Sequence, residues 1–176
     1  MKRLLWMLMI LFLTGCSSAP SLQEMKAADP PKDDKLIVPG WRVGKVYLGM
    51  TSAALFAAMG EMGEPDSTAS HVKYGSFSWK YGKHDGLEVM LDKKTDQVYA
   101  LLLHNGSYKT AEGVQMGMSE LAVVVKLGKP DSQRSDNSGK TEGVCYKRGI
   151  TVLFDDKNKV YHMQVLPSKE WRGLCR

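Results

Sequence analysis

The sequence predicts an α+β protein built from two tandem αβββ repeats, with the helices packed on one face of a shared antiparallel sheet. One motif occurs twice: Gly49-Met-Thr51, an apolar helical run and Gly63-Glu-Pro-Asp-Ser67, then Gly117-Met-Ser119, a second run and Gly128-Lys-Pro-Asp-Ser132. Segments with strand-like alternation of apolar and polar residues follow each run. Helices and hairpins without βαβ alternation favour an α+β layer. Two units joined edge to edge form one sheet of about six strands or more.

The start of the chain is typical of an exported lipoprotein. Basic Met1-Lys-Arg3 precedes an apolar run over residues 4–13 that is too short to span a bilayer stably. The run ends in Leu13-Thr-Gly-Cys16, which resembles the lipobox of bacterial lipoproteins. The resemblance implies a signal peptide over 1–15, cleavage before Cys16 and diacylglycerol on the Cys16 sulfur. Two acyl chains such as palmitate are enough for stable membrane attachment. The alternative is an ordinary signal peptide with a chance cysteine.

Residues 16–40 are predicted to form a flexible tether. The stretch is rich in serine, alanine, proline and charge, with few side chains able to bury area, so it does not offset the entropy of ordering. The folded part is divided into repeat 1 over 41–108, repeat 2 over 109–167 and a C-terminal tail over 168–176.

The charge pattern argues against nucleic acid as a partner. The whole chain carries a formal net charge of +5, and loss of Lys2 and Arg3 with the signal peptide leaves 5 − 2 = +3. Basic residues are dispersed and often stand beside acids, as in Asp33-Asp-Lys35, which is typical of a solvated surface. The sequence has no basic stripe suited to nucleic acid.

With Cys16 assigned to lipid, Cys145 and Cys175 remain. An exported chain matures in an oxidising compartment, which favours a disulfide between the two remaining thiols. The bridge would join the C-terminal tail to a strand of the second repeat. Two independent thiols are the alternative, because sequence does not fix the geometry.

Each repeat is predicted to begin with a capped helix. Thr51 and Ser119 are the expected N-caps, whose hydroxyls satisfy an orphan backbone amide. The helical runs and stop signals are Leu55, Phe56, Met59 and Met62 with Gly63 and Pro65, and Leu121, Val124, Val125 and Leu127 with Gly128 and Pro130. The valines at 123–125 also suit a strand, but the cap, the stop and the first copy favour a helix.

The strand-like segments are residues 74–81 and two hairpins, 86–92 with 97–103 and 149–155 with 159–165. In the first segment Phe77, Trp79 and Tyr81 share one face, where core packing is favoured over a stacking role. Period two predicts a core face that carries Leu87, Val89, Leu91, Tyr99, Leu101, Leu103, Ile150, Val152, Phe154, Tyr161, Met163 and Val165. The opposite face carries Glu88, Met90, Ala100, Leu102, Thr151, Leu153, His162 and Gln164.

The repeated motif, on a lipoprotein, resembles the SmpA/OmlA (BamE-type) family and the related β-lactamase-inhibitor-protein-like fold. The resemblance covers nearly all of the chain after Trp41 and fits twice. It implies envelope maintenance, outer-membrane assembly or binding of another protein on the open sheet face. Members with outer-membrane roles usually have one repeat, a point in which this chain departs from them. Ser17 after the lipidated cysteine favours the outer membrane, on its periplasmic face, if the cell is diderm.

Catalysis requires converging groups, and the sequence has no Gly-x-Ser-x-Gly elbow or other nucleophile signature. The four histidines, His71, His84, His104 and His162, lack metal-ligand spacing, and no phosphate loop is present. Asp66 and Asp131 match between the copies, and their position after proline predicts hydrogen bonds to their own turns. We therefore expect no enzyme activity, no cofactor and no metal.

The sequence favours an envelope lipoprotein that acts by binding an unidentified envelope or secreted protein. The predicted binding face consists of Met90, Ala100, Leu102, Leu153, His162 and Gln164, unless the tail held by the disulfide covers it. One alternative is an inhibitor of a secreted enzyme such as a β-lactamase or a protease. Another is an envelope hydrolase or small-ligand binder with a site between the repeats.

Overall fold

The computed structural model describes residues 21–60, 76–81, 86–92, 94–170 and 175, with the backbone alone over 76–81. These residues form an α+β structure with three α-helices and two sheets of mostly antiparallel strands. The signal peptide, Cys16, the Gly63–Pro65 stop, Asp66, His71 and His84 lie outside the described residues, as do the side chains of Phe77, Trp79 and Tyr81.

The helices are α1 (Leu22–Ala28), α2 (Ser52–Met59) and α3 (Glu120–Leu127), and a short 3₁₀ helix covers Ser168–Glu170. A small sheet has the strand order β3-β2-β1-β7, formed by β1 (Leu36–Val38), β2 (Arg42–Val43), β3 (Val46–Tyr47) and β7 (Lys109–Thr110). A large sheet contains β4 (Ser76–Tyr81), β5 (Leu87–Asp92), β6 (Gln97–Leu103), β8 (Ser132–Ser135), β9 (Thr141–Tyr146), β10 (Ile150–Phe154) and β11 (Val160–Val165).

The large sheet has the order β4-β5-β6-β11-β10-β9-β8, so the two halves of the chain meet at its centre. There β6 and β11 pair antiparallel, with Leu101 opposite Val165 and Leu103 opposite Met163. Each central strand is the second strand of a hairpin, β5–β6 or β10–β11. The pairing covers one edge of each hairpin with the other, which removes two exposed strand edges.

Both predicted N-caps are confirmed. The Thr51 hydroxyl accepts a hydrogen bond from the Ala54 amide, and the Ser119 hydroxyl accepts one from the Ala122 amide. Helix α2 ends earlier than predicted, because Gly60 is its C-cap and takes the place expected for Gly63. Helix α3 ends at Gly128 as predicted.

The predicted core face is correct except at two tyrosines. Residues from both hairpins form one buried cluster with Leu55 and Met59 of α2 and Val123 of α3. Tyr99 instead packs beside Met90, on the other side of β6, and Tyr161 is 49% exposed. Their places in the core are taken by the preceding residues, Val98 and Val160, both nearly fully buried.

A β-bulge accounts for each of these differences. Leu91 pairs with Val98 and Met90 with Ala100, so Tyr99 is the extra residue of β6. Phe154 pairs with Val160 and Leu153 with His162, so Tyr161 is the extra residue of β11. A bulge shifts the alternation by one residue, and strict period two fails at these positions.

Residues 21–35, predicted as part of the flexible tether, contact the small sheet in the structure. Ser21 and Glu24 form a capping box at the start of α1. The Trp41 indole donates to the Asp29 carbonyl at 2.8 Å, and Arg42 binds the carboxylates of Asp29 and Asp34. Strand β1, which falls inside the predicted tether, is a central strand of the small sheet. Polar contacts hold this segment, so its low apolar content is a poor guide to its order.

Candidate binding face

The second face of the large sheet is the side opposite the buried cluster that includes α2 and α3. It carries the eight residues predicted for the outer face: Glu88, Met90, Ala100, Leu102, Thr151, Leu153, His162 and Gln164. Strand register arranges Glu88, Leu102, Gln164, Thr151 and Cys145 in one row across five strands.

Much of the second face is buried. Met90, Ala100, His162 and Gln164 are at most 8% exposed, and Leu102 and Leu153 are half-buried. Of the six residues predicted to bind a partner, only the two leucines therefore have substantial contact with solvent.

The predicted disulfide between Cys145 and Cys175 is present and lies on the second face. Cys145 is fully buried, and its Sγ lies 3.2 Å from the Thr151 hydroxyl. The Ser132 hydroxyl donates to the Cys175 carbonyl at 3.3 Å. Beyond β11, Leu166 packs against Met90 and Ala100. Leu166, at the end of repeat 2, and Cys175, in the C-terminal tail, thus both lie against this face.

Three ionisable side chains form a chain of contacts at the centre of the second face. His104 Nε2 lies 2.8 Å from a carboxylate oxygen of Glu88, and His104 Nδ1 lies 3.1 Å from His162 Nδ1. Glu88 and His162 are buried, whereas the His104 side chain is 45% exposed. Burial is the main cause that lowers the pKa of His162 to about 4; the neighbouring His104 acts in the same direction, and Glu88 opposes it.

This geometry restricts where protons can reside. With both imidazoles neutral, His162 Nδ1–H donates to His104 Nδ1, and His104 Nε2–H donates to the Glu88 carboxylate. If both rings were fully protonated, two N–H groups would point at each other across 3.1 Å.

Next to the histidines the second face opens into a cleft of about 350 Å³, here called the β8–β11 cleft, lined by Arg134, Asp136, Lys140, Thr141, Glu142, Leu153, Phe154, Asp155, Asp156 and Tyr161. Leu153 lies over Gly143, where an added Cβ would come within 2.5 Å of the leucine side chain. The rim contains two ion pairs, Arg134–Glu142 and Lys140–Asp156. The cleft is thus lined by seven polar or charged residues and by three apolar or aromatic ones, Leu153, Phe154 and Tyr161.

Sequence reasoning did not find the Glu88–His104–His162 group. His104 and His162 are 58 residues apart, and the pairing of β6 with β11 brings them together. The matched Asp131 also differs from expectation, because its carboxylate accepts a hydrogen bond from the Lys147 amide in the β9–β10 turn. Among the described residues, no three of His, Cys, Asp and Glu are placed to hold a metal ion.

Comparison with known proteins adds no relative. Neither a protein-family model, nor a curated protein, nor a solved structure matches the chain. None of the described helices has the length and apolar character needed to cross a bilayer. What the protein does must therefore be argued from its own residues.

Proposed function

We propose that the protein is a non-catalytic lipoprotein of the bacterial cell envelope that acts by binding another protein. The lipobox-like Leu13-Thr-Gly-Cys16 after an apolar run supports export and lipid attachment at Cys16. In a diderm cell, Ser17 supports the periplasmic face of the outer membrane. The repeated motif and its resemblance to the SmpA/OmlA (BamE-type) lipoproteins support a role in envelope maintenance or outer-membrane assembly.

We also propose that the folded part is a duplicated unit whose halves share the large sheet. The second half departs from the predicted αβββ pattern, because four strands, β8 to β11, follow α3. Equivalent backbone contacts support the duplication. The Val98 amide donates to the Met50 carbonyl at 2.8 Å, and the Val160 amide donates to the Met118 carbonyl at the same distance. The bulged tyrosines Tyr99 and Tyr161 follow these two valines. An early duplication explains why caps, contacts and bulges recur together.

The β8–β11 cleft is the observation that carries the binding proposal. Tyr161 is a half-exposed aromatic residue beside half-buried Leu153, and Arg134 stands on the rim. Tyrosine and arginine are enriched among residues that dominate binding energy, and an apolar centre with a polar rim is the usual anatomy of an interface. The proposed surface keeps Leu153 from the predicted face and moves its centre from Met90 and Ala100 to Tyr161.

Chemical cross-linking in the native cell, followed by capture of the anchored protein from detergent-solubilised membranes, tests the proposal. We expect Tyr161→Ala to reduce the yield of the cross-linked partner at least tenfold. The matched control is Val125→Ala on α3, another highly exposed apolar side chain. Loss of the partner with Val125→Ala and its retention with Tyr161→Ala would transfer the binding surface to α3 and refute the role of the cleft.

A small-ligand binder is the second candidate, because a cleft of about 350 Å³ falls within the size range of ligand pockets. A ligand that raises the thermal midpoint of the wild type but not of Tyr161→Ala would support it. Inhibition of a secreted β-lactamase or protease is a variant of protein binding, in which the captured partner is that enzyme.

Mass spectrometry of the mature protein tests the membrane anchor. We expect the N-terminal peptide to begin at a diacylglyceryl-modified Cys16, and Cys16→Ala to leave the protein unattached to membranes. An unmodified Cys16 in mature protein would refute the anchor.

A further inference from the structure

The side chain of Arg42 is fully buried and donates five hydrogen bonds. Nε and Nη2 donate to the two carboxylate oxygens of Asp29 at 3.0 and 3.1 Å. Nη1 and Nη2 donate to Asp34 at 2.8 and 2.9 Å, and Nη1 also donates to the Gly44 carbonyl at 2.8 Å. A guanidinium has five N–H donors, so every donor of Arg42 is used. We call Arg42, Asp29 and Asp34 the arginine clamp.

The clamp holds the segment that lies between Cys16 and the small sheet. Both of its carboxylates come from residues before β1, whereas Arg42 belongs to β2. The Trp41 indole, which is nearly fully buried, binds the Asp29 carbonyl, and Lys26 of α1 lies over the Tyr47 ring at 5.4 Å. The Arg42 guanidinium also lowers the pKa of both carboxyl groups, which keeps them charged at neutral pH. Contacts at Tyr47, Trp41 and Arg42 thus hold residues 21–35 to the small sheet.

This attachment limits the reach of a lipid anchor at Cys16. Ser21 is five residues beyond Cys16, and five residues span at most about 18 Å. If residues 21–35 were free, the anchor would be separated from Leu36 by twenty residues, which span up to about 70 Å when extended and about 25 Å on average as a flexible chain. The arginine clamp, together with the contact of Lys26 in α1 with the Tyr47 ring, therefore shortens the available tether about fourfold.

We infer that the arginine clamp holds the small-sheet end of the domain, with α1, against the surface of the lipid bilayer that carries the anchor. The inference rests on the proposed lipid attachment at Cys16. The short distance from Cys16 to Ser21 identifies the bilayer as the partner of this surface. Five residues span at most about 18 Å, so α1 lies next to the lipid headgroups. Leu22, an exposed apolar residue in the first turn of α1, is on the part of the helix nearest in sequence to the anchor.

A quenching experiment on the lipidated protein tests the inference. A fluorophore is attached at Lys45→Cys, in the β2–β3 turn beside the clamp, and the protein is reconstituted in phosphatidylethanolamine–phosphatidylglycerol vesicles with a headgroup quencher. One variant inserts fifteen glycine and serine residues between Pro20 and Ser21, and a second combines Asp29→Asn with Asp34→Asn. We expect quenching to fall at least twofold in both variants.

Two controls separate the possible failures. Mass spectrometry of the same samples reports the lipid on Cys16, and trypsin cleavage after Lys26 and Lys32 reports release of the segment. We expect cleavage at least tenfold faster in the double asparagine variant, with the insertion variant close to wild type. If the wild type and both variants carry lipid and are quenched equally, the inference is overturned and the proposed anchor stands. Wild-type protein cut as fast as the asparagine variant overturns the clamp, and absence of lipid overturns both proposals.

Discussion

The Nδ1 atoms of His104 and His162 lie 3.1 Å apart across the central strand pair of the large sheet. The two strands come from different halves of the chain, and this contact lies on the second face. His162 is buried and His104 is bound on its other nitrogen to Glu88. Because burial lowers the pKa of His162, the stability of the sheet centre is coupled to pH.

We predict that the protein loses stability between pH 6.5 and about pH 4 because of His162. Its pKa falls from 6.5 to about 4 on folding, chiefly through burial. The unfolded state therefore binds more protons in this window, and the free energy of unfolding decreases as pH falls. A difference of this size corresponds to about 3 kcal/mol. Chemical denaturation at pH 7 and pH 4.5 measures it.

His162→Gln should flatten this dependence by about 2–3 kcal/mol between the two pH values. Tyr161→Phe, at the adjacent position on β11, is the control, since neither side chain titrates in this range. The carboxyl groups of Asp29 and Asp34, whose pKa values are lowered, act in a separate window, because their contribution is lost below about pH 4. An equal pH slope in wild type and His162→Gln would contradict the assignment.

The Cys145–Cys175 disulfide should stabilise the fold by roughly 3–4 kcal/mol in the chain-entropy account of a bridge between residues this far apart. The two cysteines are separated by 30 residues. We expect the double variant Cys145→Ser and Cys175→Ser to lose this amount in denaturant unfolding at pH 7. Wild-type protein under reducing conditions should match the variant. An unchanged free energy of unfolding would mean that other contacts already hold the tail.

The bulge in β11 determines which of two neighbouring residues contributes more to stability. Strict period-two alternation would predict Tyr161, whereas the bulge predicts Val160. Val160→Ala should cost about 2 kcal/mol, because Val160 is 3% exposed within the main buried cluster. Tyr161→Ala should change stability by less than about 0.5 kcal/mol, because the ring is half exposed. Urea denaturation of the two variants compares them directly. A larger loss of unfolding free energy in Tyr161→Ala than in Val160→Ala would mean that Tyr161 faces the core and that β11 has no bulge at this position.

Local signals in the sequence were sufficient to predict where α2 and α3 begin and which residues form most of the core. A cap such as Thr51 or Ser119 acts on an amide three residues away, so its residues are adjacent in the chain. The bulges at Tyr99 and Tyr161 could not be read in this way, because a bulge depends on how two strands pair. Tyrosine is also common in strands, and each tyrosine fitted the apolar period.

The candidate site was less predictable than the core. Glu88, His104 and His162 meet only because β6 pairs with β11, a contact between halves of the chain that no short motif specifies. The order of residues 21–35 was missed for a related reason. Composition counts apolar area, whereas the segment is held by charge-assisted hydrogen bonds to Arg42, whose partners are up to 13 residues away.

Gly60 and Gly128 test whether the two helices end alike. Their φ and ψ angles are 79° and −155°, and 83° and −174°, a region populated essentially by glycine. An added Cβ meets nothing within 4 Å at either position, so backbone strain alone opposes a side chain. We predict that Gly60→Ala and Gly128→Ala each cost about 1–3 kcal/mol.

Thermal and urea unfolding of the two glycine variants measure these costs, with Ala57→Ser on the exposed side of α2 as a control for a small surface change. If the helices derive from one duplicated unit, the two losses should agree within about 0.5 kcal/mol, since the strain and the open surroundings are the same. A loss at Gly128 with none at Gly60 would mean that α2 does not end at Gly60. The equivalence of the two halves would then depend on Gly63, the glycine that the repeated Gly-x-Pro-Asp motif aligns with Gly128.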